Sequence, residues 1–339
     1  MRAAAILVAA LAAAVLPATP ALAAAGSEFT WSVQPAGPFG PDGRSQFDLS
    51  AQPGDVLHEY VAITNLSTAP LTFNVYSTDA LNTADGGFTL LPASERPSGP
   101  GLWTRIGDAG AAGVQSYVVP AGQRIVIPFT VEIPGNATPG DHAGGIVASV
   151  AAQADDANGQ AVLVDRRVAS RIYLALGGAT APSLAVEDLR VVHTPSVNPF
   201  GGGTITVSYL LRNTGNVRLG ATSAVAVSGP LGWRLAASDA VAVADLLPGN
   251  AVAVTETISG LPAPLWMNVE ATISAVDARV PVTTATATVA AAPWLLVAVL
   301  GALVAVIVVL MIRRRRSRVV ARSGATDDER ASSDPAARP

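Results

Sequence analysis

Short apolar runs separated by turn residues dominate the chain from residue 29 to residue 290. In Arg124 to Glu132, apolar side chains occupy every second position, which is typical of a strand with one face in a core. We predict further strands at Phe29–Val33, Val56–Thr64, Leu71–Ser77, Gly145–Ala151, Ala161–Leu176, Val186–Val192, Thr204–Leu211, Ala221–Val227, Val252–Ile258 and Met267–Ala275.

Glycine, proline and asparagine mark the breaks between these runs, as at Pro53-Gly54, Pro134-Gly135-Asn136 and Asn213 to Asn216. No segment of helical periodicity stands between them. The pattern predicts an all-β fold of two tandem immunoglobulin-like β-sandwiches, at residues 27–178 and 183–288, plus one C-terminal transmembrane helix. We assign a hairpin with its tip near residues 155–159 to the first domain.

A weak internal repeat indicates that one sandwich plan is duplicated. Tyr60 to Val75 reads as an apolar run, an asparagine-containing turn and a second apolar run, and Tyr209 to Val227 has the same order. Downstream, Val119 to Gly122 and Leu247 to Asn250 each precede an alternating strand. Because any β-sandwich reuses such turns, the match supports duplication without proving it.

The two ends of the chain predict export and membrane anchoring. Residues 1–23 have the charged start, apolar centre and Ala-x-Ala end of a signal peptide, with an N-terminal membrane anchor as the alternative. Nineteen residues without a charge, Trp294 to Ile312, predict a transmembrane helix at 292–312 that contacts the lipid bilayer. An arginine-rich, disordered cytoplasmic tail at 313–339 then follows the positive-inside rule. The topology residues are Trp294, at the outer interface, and Arg313, Arg314, Arg315 and Arg316.

Composition narrows the classes of function. The chain has no cysteine, which removes disulfides, thiolate catalysis and cysteine-bound metals. Between residues 24 and 292, 21 acidic residues stand against 12 arginines. Because phosphate binding needs a basic surface, this acidic segment argues against a nucleic-acid partner. Nothing in the sequence calls for a cofactor.

The first half resembles the peptidoglycan-binding domain of the WxL-interacting proteins of Gram-positive bacteria. The resemblance lies in an ordered set of short motifs: Phe29-x-Trp31-Ser32-Val33-x-Pro35, Phe47-x-Leu49, Gln52-Pro53-Gly54, Asn65 in a turn, Val119 to Gln123, Ile133-Pro134, and Pro139-Gly140 followed by Gly144-Gly145-Ile146. It implies a surface protein whose first domain contacts peptidoglycan and whose second domain engages another surface protein. The second domain matches only in position, size and β character.

Candidate binding residues cluster in two regions, and none forms a catalytic constellation. The three histidines, His58, His142 and His193, have no neighbour at metal-ligand spacing. For a glycan, the candidates are aromatic residues of a loop-rich region together with polar residues near a glycine-rich strand entry. These candidates are Phe88, Trp103, Tyr117, Asp79, Asp141 and His142.

Each candidate also has a structural explanation. A lone tryptophan in a long loop often fixes that loop to the core, so Trp103 fits either a sugar contact or a packing role. His142 equally fits a turn residue beside a structural glycine pair.

Two functions remain, and we expect neither to be enzymatic. The first is a membrane-anchored surface protein that contacts peptidoglycan through its first sandwich and other proteins through its second. The alternative is a structural or assembly protein that binds partners by strand addition and never touches a glycan. A hydrolase would require a nucleophile, base or carboxylate pair that the sequence does not present.

Overall fold

The computed structural model describes residues 29–107, 110, 113–155, 160–196, 201–262, 265–291 and 297–314. The predicted signal peptide, the 156–159 hairpin tip, Trp294, Arg315 and Arg316 lie outside these ranges. Within them the chain forms nineteen strands and two helices. The predicted fold class is confirmed: two tandem β-sandwiches are followed by one apolar helix.

The first sandwich packs two sheets that differ in strand order. One sheet has five strands and the other has six. In order across the first sheet, the strands are β2 (Gly40–Pro41), β1 (Trp31–Gly37), β4 (Val56–Asn65), β9 (Arg124–Glu132) and β7 (Thr104–Ile106). Across the second they are β3 (Phe47–Ala51), β11 (Ala161–Leu176), β10 (Gly140–Asp155), β5 (Leu71–Asn82) and β6 (Phe88–Leu90), with β8 (Gln115–Val119) also paired to β5.

The second sandwich pairs a three-stranded sheet with a five-stranded one. The smaller sheet contains β12 (Leu184–Thr194), β13 (Gly203–Asn213) and β17 (Ala251–Leu261). The larger contains β15 (Arg234–Ala237), β14 (Leu219–Ser228), β18 (Leu265–Ala275) and β19 (Thr283–Ala291), with β16 (Val241–Leu246) also paired to β14.

Aromatic residues fill the first core. Phe47 and Phe129 meet edge to face at 5.2 Å and are almost fully buried. The Trp31 ring crosses the core, and its Nε1 donates to the carbonyl of Ala148 at 3.2 Å, which joins the two sheets. An indole nitrogen buried in an apolar core needs such a partner.

Smaller aliphatic side chains fill the second core. This core also contains a row of three hydrogen-bonded polar side chains. The Tyr209 hydroxyl contacts the hydroxyl of Ser223, which donates to Glu256 Oε1 at 3.2 Å. All three residues are buried, and burial raises the pKa of Tyr209, to which the nearby Glu256 charge adds. The Glu256 side chain thus joins β17 to β14 of the opposite sheet through Ser223.

One buried asparagine holds the same turn in each sandwich. Asn65 Nδ2 donates to the carbonyls of Ala69 and Val119, and its Oδ1 accepts from the Ser67 amide. Asn213 Nδ2 donates to the carbonyls of Val217 and Leu246. Both side chains are fully buried. The two asparagines therefore occupy corresponding places, as the sequence repeat suggests.

The backbone repeats the same pattern around these asparagines. The Asn65 amide donates to Gln123 O at 2.9 Å, and the Asn213 amide donates to Asn250 O at 3.0 Å. Each acceptor closes a turn that begins three residues earlier, at Pro120 and at Leu247. The predicted Pro-Gly turns are therefore the places where each sandwich fastens its asparagine hairpin.

Two helices complete the described chain. The helix α1 (Pro100–Trp103) is a single turn inside the region that the sequence indicated as a long loop. The helix α2 (Val297–Arg314) is apolar, lies against neither sandwich, and is long enough to cross a membrane. Its described part covers residues 297–312 of the predicted span 292–312 and continues to Arg314, while residues 292–296 lie outside the described ranges. Arg313 and Arg314 form its last turn.

Replacing Asn213 with alanine should destabilise the second sandwich. The variant leaves two buried carbonyls without their donor, and each unsatisfied group costs roughly 1–3 kcal/mol. We expect the free energy of unfolding of the second sandwich to fall by about 3 kcal/mol, as measured by urea denaturation in detergent.

The matched control is Asn136→Ala, because Asn136 is exposed. It should change stability by less than about 0.5 kcal/mol. Equal effects of the two substitutions would show that the buried turn contacts contribute nothing particular.

Candidate functional site

The two sandwiches meet through hydrogen bonds at two points. At the first, Asn216 Nδ2 donates to Pro139 O at 2.9 Å, and the Asp141 amide donates to Asn216 O at 2.7 Å. The Arg218 amide donates to Asp141 Oδ2 at 2.7 Å. Gly140 has φ +118°, and a Cβ there would stand 2.0 Å from Asn216 O. Only glycine permits this approach.

The second point of contact is the side chain of Asn82, at the end of β5. Asn82 Oδ1 accepts from the Leu247 amide at 2.8 Å, and its Nδ2 donates to Asp245 O at 3.0 Å. The Asn82 amide donates to Asn250 Oδ1 at 3.2 Å. Two residues later, Ala84 O accepts from the Ala253 amide at 2.8 Å. The β5–β6 turn is thereby bound to both β16 and β17.

Between the two contact points lies an interdomain cleft of about 520 Å³. Three of the predicted binding residues, Asp79, Asp141 and His142, line it. Asp141 is held by the Arg218 amide, and His142 Nε2 lies 2.8 Å from Thr138 O. Each of these side chains already has a partner within the protein.

Asp79 organises the loop that leads into α1. Its Oδ2 accepts from the amides of Ser98 at 2.5 Å and Gly99 at 2.8 Å, and its Oδ1 accepts from Gly101 at 2.8 Å. A Cβ on Gly101 would stand 2.5 Å from Thr78 Cα, so the turn lies directly on β5. Asp79 therefore has a structural role in this state of the protein.

The predicted aromatic residues are separated in space. Trp103 is 8% exposed, packs in the first core, and meets the His142 ring at 5.0 Å. Tyr117 lies on β8 and packs against the same core. Phe88, on β6, lies apart from both on the outer face of the second sheet. The structure thus brings Asp79, Asp141 and His142 to one cleft, with Trp103 packed against His142. The prediction that the six candidates bind a ligand stays a prediction.

Phe88 belongs to a group that we call the arginine–aromatic face, formed by Phe88, Val147, Arg167, Arg171 and Tyr173. The Arg171 guanidinium lies 4.4 Å from the centre of the Phe88 ring, and Phe88 meets Tyr173 edge to face at 6.0 Å. A hollow of about 250 Å³ lies beside Phe88. Within the described ranges, neither Arg167 nor Arg171 forms an ion pair with a carboxylate. This face thus combines aromatic rings with two arginine side chains whose charge is not neutralised by a carboxylate of the described residues.

A second opening, the edge groove, lies between the two sheets of the second sandwich. It is lined by Asp85, Gly86, Val241–Ala244 and Val252–Thr255, and has a volume of about 410 Å³. Its walls are the outer edges of β16 and β17. The β5–β6 turn closes one end, because Asn82 and Ala84 bind the backbones of these two strands there.

Along β17, the backbone N–H and C=O groups of successive residues point alternately toward the neighbouring strand β13 and toward the open edge of the sheet. Asn250 O accepts from Asn213 on β13, while the Ala253 amide points the other way, to Ala84. In an antiparallel pair this alternation continues along the strand, so Thr255 and Thr257 direct their N–H and C=O groups outward. Throughout the described part of the chain, no strand pairs with that side of β17.

Most of the carboxyl groups whose pKa is shifted lie away from the cleft and the edge groove. Hydrogen bonding to Arg44 lowers the pKa of Asp42, and hydrogen bonding to Arg279 lowers that of Asp277 to about 2. At the edge groove, the Thr83 hydroxyl lowers the pKa of Asp85. Asp85 therefore carries a negative charge at the closed end of the groove at neutral pH.

Sequence reasoning did not find the edge groove. It placed a strand at Val252–Ile258 and a turn before it, but strand order decides which strand lies at an edge. The alternation of buried Val252 and Val254 with exposed Ala253 and Thr255 was visible. The outward positions of β17 carry no charge, and this is the one signal that could have pointed to an open edge.

No protein-family model and no curated protein matches the chain. Among solved structures, it is similar to a chain from the CsuC–CsuE chaperone–tip subunit pre-assembly complex of Acinetobacter baumannii archaic chaperone-usher pili, at 9% identity and TM-score 0.33, over 76% of this chain and 97% of that one. The class 5 fimbriae chaperone CfaA is similar at 10% identity and TM-score 0.30, over 76% and 98%.

A PapD-like domain of human CEP192 covers 51% of this chain at 9% identity and TM-score 0.26. These likenesses are distant and are confined to the arrangement of β-sandwiches. The resemblance to WxL-interacting proteins stays a prediction.

Proposed function

We propose that this chain is a membrane-anchored, non-enzymatic binding protein that holds a segment of a partner protein as an added strand on β17. The observation that carries the proposal is the edge groove. One of its walls is a strand whose outward backbone groups at Thr255 and Thr257 are hydrogen-bonded to no other strand among the described residues. Unpaired backbone groups of this kind are the template for strand addition.

The first position of the added strand is already occupied by the protein's own turn. Asn82 donates to the carbonyl of Asp245 on β16, and Ala84 O accepts from Ala253 on β17. These contacts bridge the two walls where the groove begins. A partner strand that continues from this point would meet the next outward groups of β17, at Thr255 and Thr257.

The exposed side chains of β17 carry no charge, so its protection against pairing is confined to the buried Glu256 and to the register shift near Ser259. Edge strands are commonly protected by charged side chains. The free part of the β10–β11 hairpin follows this rule, because it carries Asp165, Arg166 and Arg167 in succession. The exposed positions of β17 are instead Ala253, Thr255, Thr257, Ser259 and Gly260. Threonine is favourable in strands and adds no charge repulsion.

The walls of the groove indicate which partner segment would fit. Val241, Val243 and Val252 line it, and Val241 is 42% exposed. The Asp85 carboxylate stands at the closed end. We infer a partner segment with apolar side chains at alternate positions and a lysine or arginine near Asp85, since such a segment complements both features.

The helix α2 supplies the anchor. Its apolar side chains are about half exposed, as at Val297, Leu300 and Ile307, and they pack against neither sandwich. Because a helix that is apolar on every face is unstable in water, a bilayer is its natural environment. The arginines that follow, from Arg313, favour a cytoplasmic C-terminus.

The reactive side chains of the interdomain cleft have structural partners. Across the described ranges, no three metal-ligating side chains converge. His142 is engaged with a backbone carbonyl, and the cleft carboxylates Asp79 and Asp141 accept backbone amides. These groups hold loops and the domain contact in place.

Peptide selection tests strand addition directly. The full chain in nanodiscs is used to select from a displayed library of random twelve-residue peptides, and binding is measured by fluorescence anisotropy. We expect alternating apolar peptides with a basic residue to emerge. Thr257→Pro should abolish their binding, because proline removes the outward N–H without breaking a bond to β13.

The matched control is Thr257→Val, which keeps the N–H and should bind the peptides as the native chain does. Thermal unfolding of both variants checks that the sandwich remains folded. Peptides that bind the proline variant unchanged would show that they do not pair with β17.

A second candidate function is glycan binding on the arginine–aromatic face. Phe88 offers a ring beside the exposed arginines Arg167 and Arg171. Sugar rings stack on aromatic faces, and guanidinium groups bind carboxylates, which peptidoglycan carries on its peptides. This candidate is independent of the edge groove, because it uses the other sandwich.

Co-sedimentation of the full chain with insoluble peptidoglycan tests the second candidate. Arg171→Ala should weaken binding roughly tenfold, which corresponds to about 1.4 kcal/mol for one lost charge-assisted contact. Arg190→Ala removes an exposed arginine from the second sandwich and should leave binding unchanged. Equal retention of the native chain and Arg171→Ala would exclude this face as the glycan site.

A further inference from the structure

The end of the second sandwich from which the chain leaves toward α2 carries four exposed apolar side chains. We call them the membrane-end patch: Leu231, Trp233, Leu265 and Trp266. They are 85%, 46%, 56% and 44% exposed, respectively. Large apolar side chains concentrated at one end of a domain mark a contact surface more often than scattered ones do.

Strand register brings these residues to the same end. Ser228 pairs with both Arg234 and Asn268, so the β14–β15 turn that carries Leu231 and Trp233 lies beside the start of β18. Leu265 pairs with Ala291 and Trp266 with Ala290, the last residues of β19. The patch therefore surrounds the point where the second sandwich ends.

The covalent chain keeps this end close to α2. From Ala291 to Val297 there are six Cα-to-Cα steps, so the two residues are at most about 22 Å apart. When α2 is in a bilayer, the end of β19 beside the patch is therefore held within about 22 Å of the start of α2, which is three to four times the thickness of one head-group layer, about 5–8 Å. The other end of the second sandwich binds the first sandwich through Asn82 and Asn216.

The charges at the patch suit a lipid surface. The segments 229–234, 265–268 and 288–291 contain no acidic residue. Arg234, next to Trp233, is exposed and within the described ranges has no carboxylate partner. Tryptophan favours the boundary between head groups and acyl chains, where its ring is buried and its N–H remains solvated. A guanidinium beside it would meet lipid phosphates.

We propose that the membrane-end patch inserts into the surface of the bilayer that α2 enters, so that the second sandwich stands on the membrane through its own side chains. The proposal rests on anchoring by α2. Leu231 and Trp233 then lie at the boundary between the head groups and the acyl chains, with Leu265 and Trp266 beside them. The eleven residues of β18 hold the domain junction about 35 Å above this contact.

The absence of cysteine from the chain makes a direct test possible. A nitroxide label is attached to Leu231→Cys, or to Val276→Cys, in the full chain reconstituted into phosphatidylcholine vesicles. Val276 is 80% exposed and lies at the far end of β18, so it matches Leu231 in exposure and differs in position. Electron paramagnetic resonance then measures access of a water-soluble nickel chelate and of oxygen.

We expect the label at 231 to be severalfold less accessible to the nickel chelate than the label at 276, and more accessible to oxygen. Adding Trp233→Ser and Trp266→Ser should restore access at 231, since the two indoles no longer hold the turn at the membrane.

Vesicle flotation separates the two ways in which the proposal can fail. If the chain does not float with the vesicles, α2 does not anchor it, and this inference falls together with the anchor. If the chain floats and the labels at 231 and 276 are equally accessible to nickel, the anchor stands and the contact of the patch with lipid is disproved.

Discussion

The hydrogen bonds of Asn82 are the constraint on which the arrangement of this protein depends. Its side-chain oxygen and nitrogen each bind the backbone of the second sandwich, and its own amide binds Asn250. An amide side chain that is nearly buried must satisfy both its donor and its acceptor. The placement of the two sandwiches seen here satisfies both. That placement positions Ala84 over the edge of β17 and closes one end of the groove.

The duplicated asparagine turn shows that β17 corresponds to β9 of the first sandwich. Asn65 and Asn213 each fasten a hairpin to the turn before a later strand, β9 in the first sandwich and β17 in the second. In the first sandwich, β7 pairs with the outer side of β9. In the second sandwich, the described chain supplies no such strand. The outer side of β17 forms one backbone hydrogen bond with the first sandwich, from the Ala253 amide to Ala84 O. Within the described residues, the second copy of the plan thus leaves β17 with an unpaired outer side, the edge on which we propose that a partner strand adds.

Sequence reasoning succeeded where structure is local. Alternation predicted the long strands, such as β9, and an uncharged apolar run predicted the helix α2. It could not find β6 or β7, because strands of three residues are set by their partners in the sheet. For the same reason, the sequence did not reveal that Arg171 lies over Phe88, 83 positions earlier in the chain. It named Asp79, Asp141 and His142, which share one cleft, but their hydrogen-bond partners are visible only in the folded chain.

The most direct test of the account is the hydrogen exchange of individual backbone amides along β17, measured by nuclear magnetic resonance on the full chain without any partner. If the edge is open, we expect slow exchange at the Ala253 amide, which is bound to Ala84. We also expect slow exchange at the amides of Val254 and Glu256, which point toward the neighbouring strand β13. Fast exchange is expected at Thr255 and Thr257. Uniform protection along the whole strand would mean that the outer edge is already paired, and the proposed binding edge would not exist.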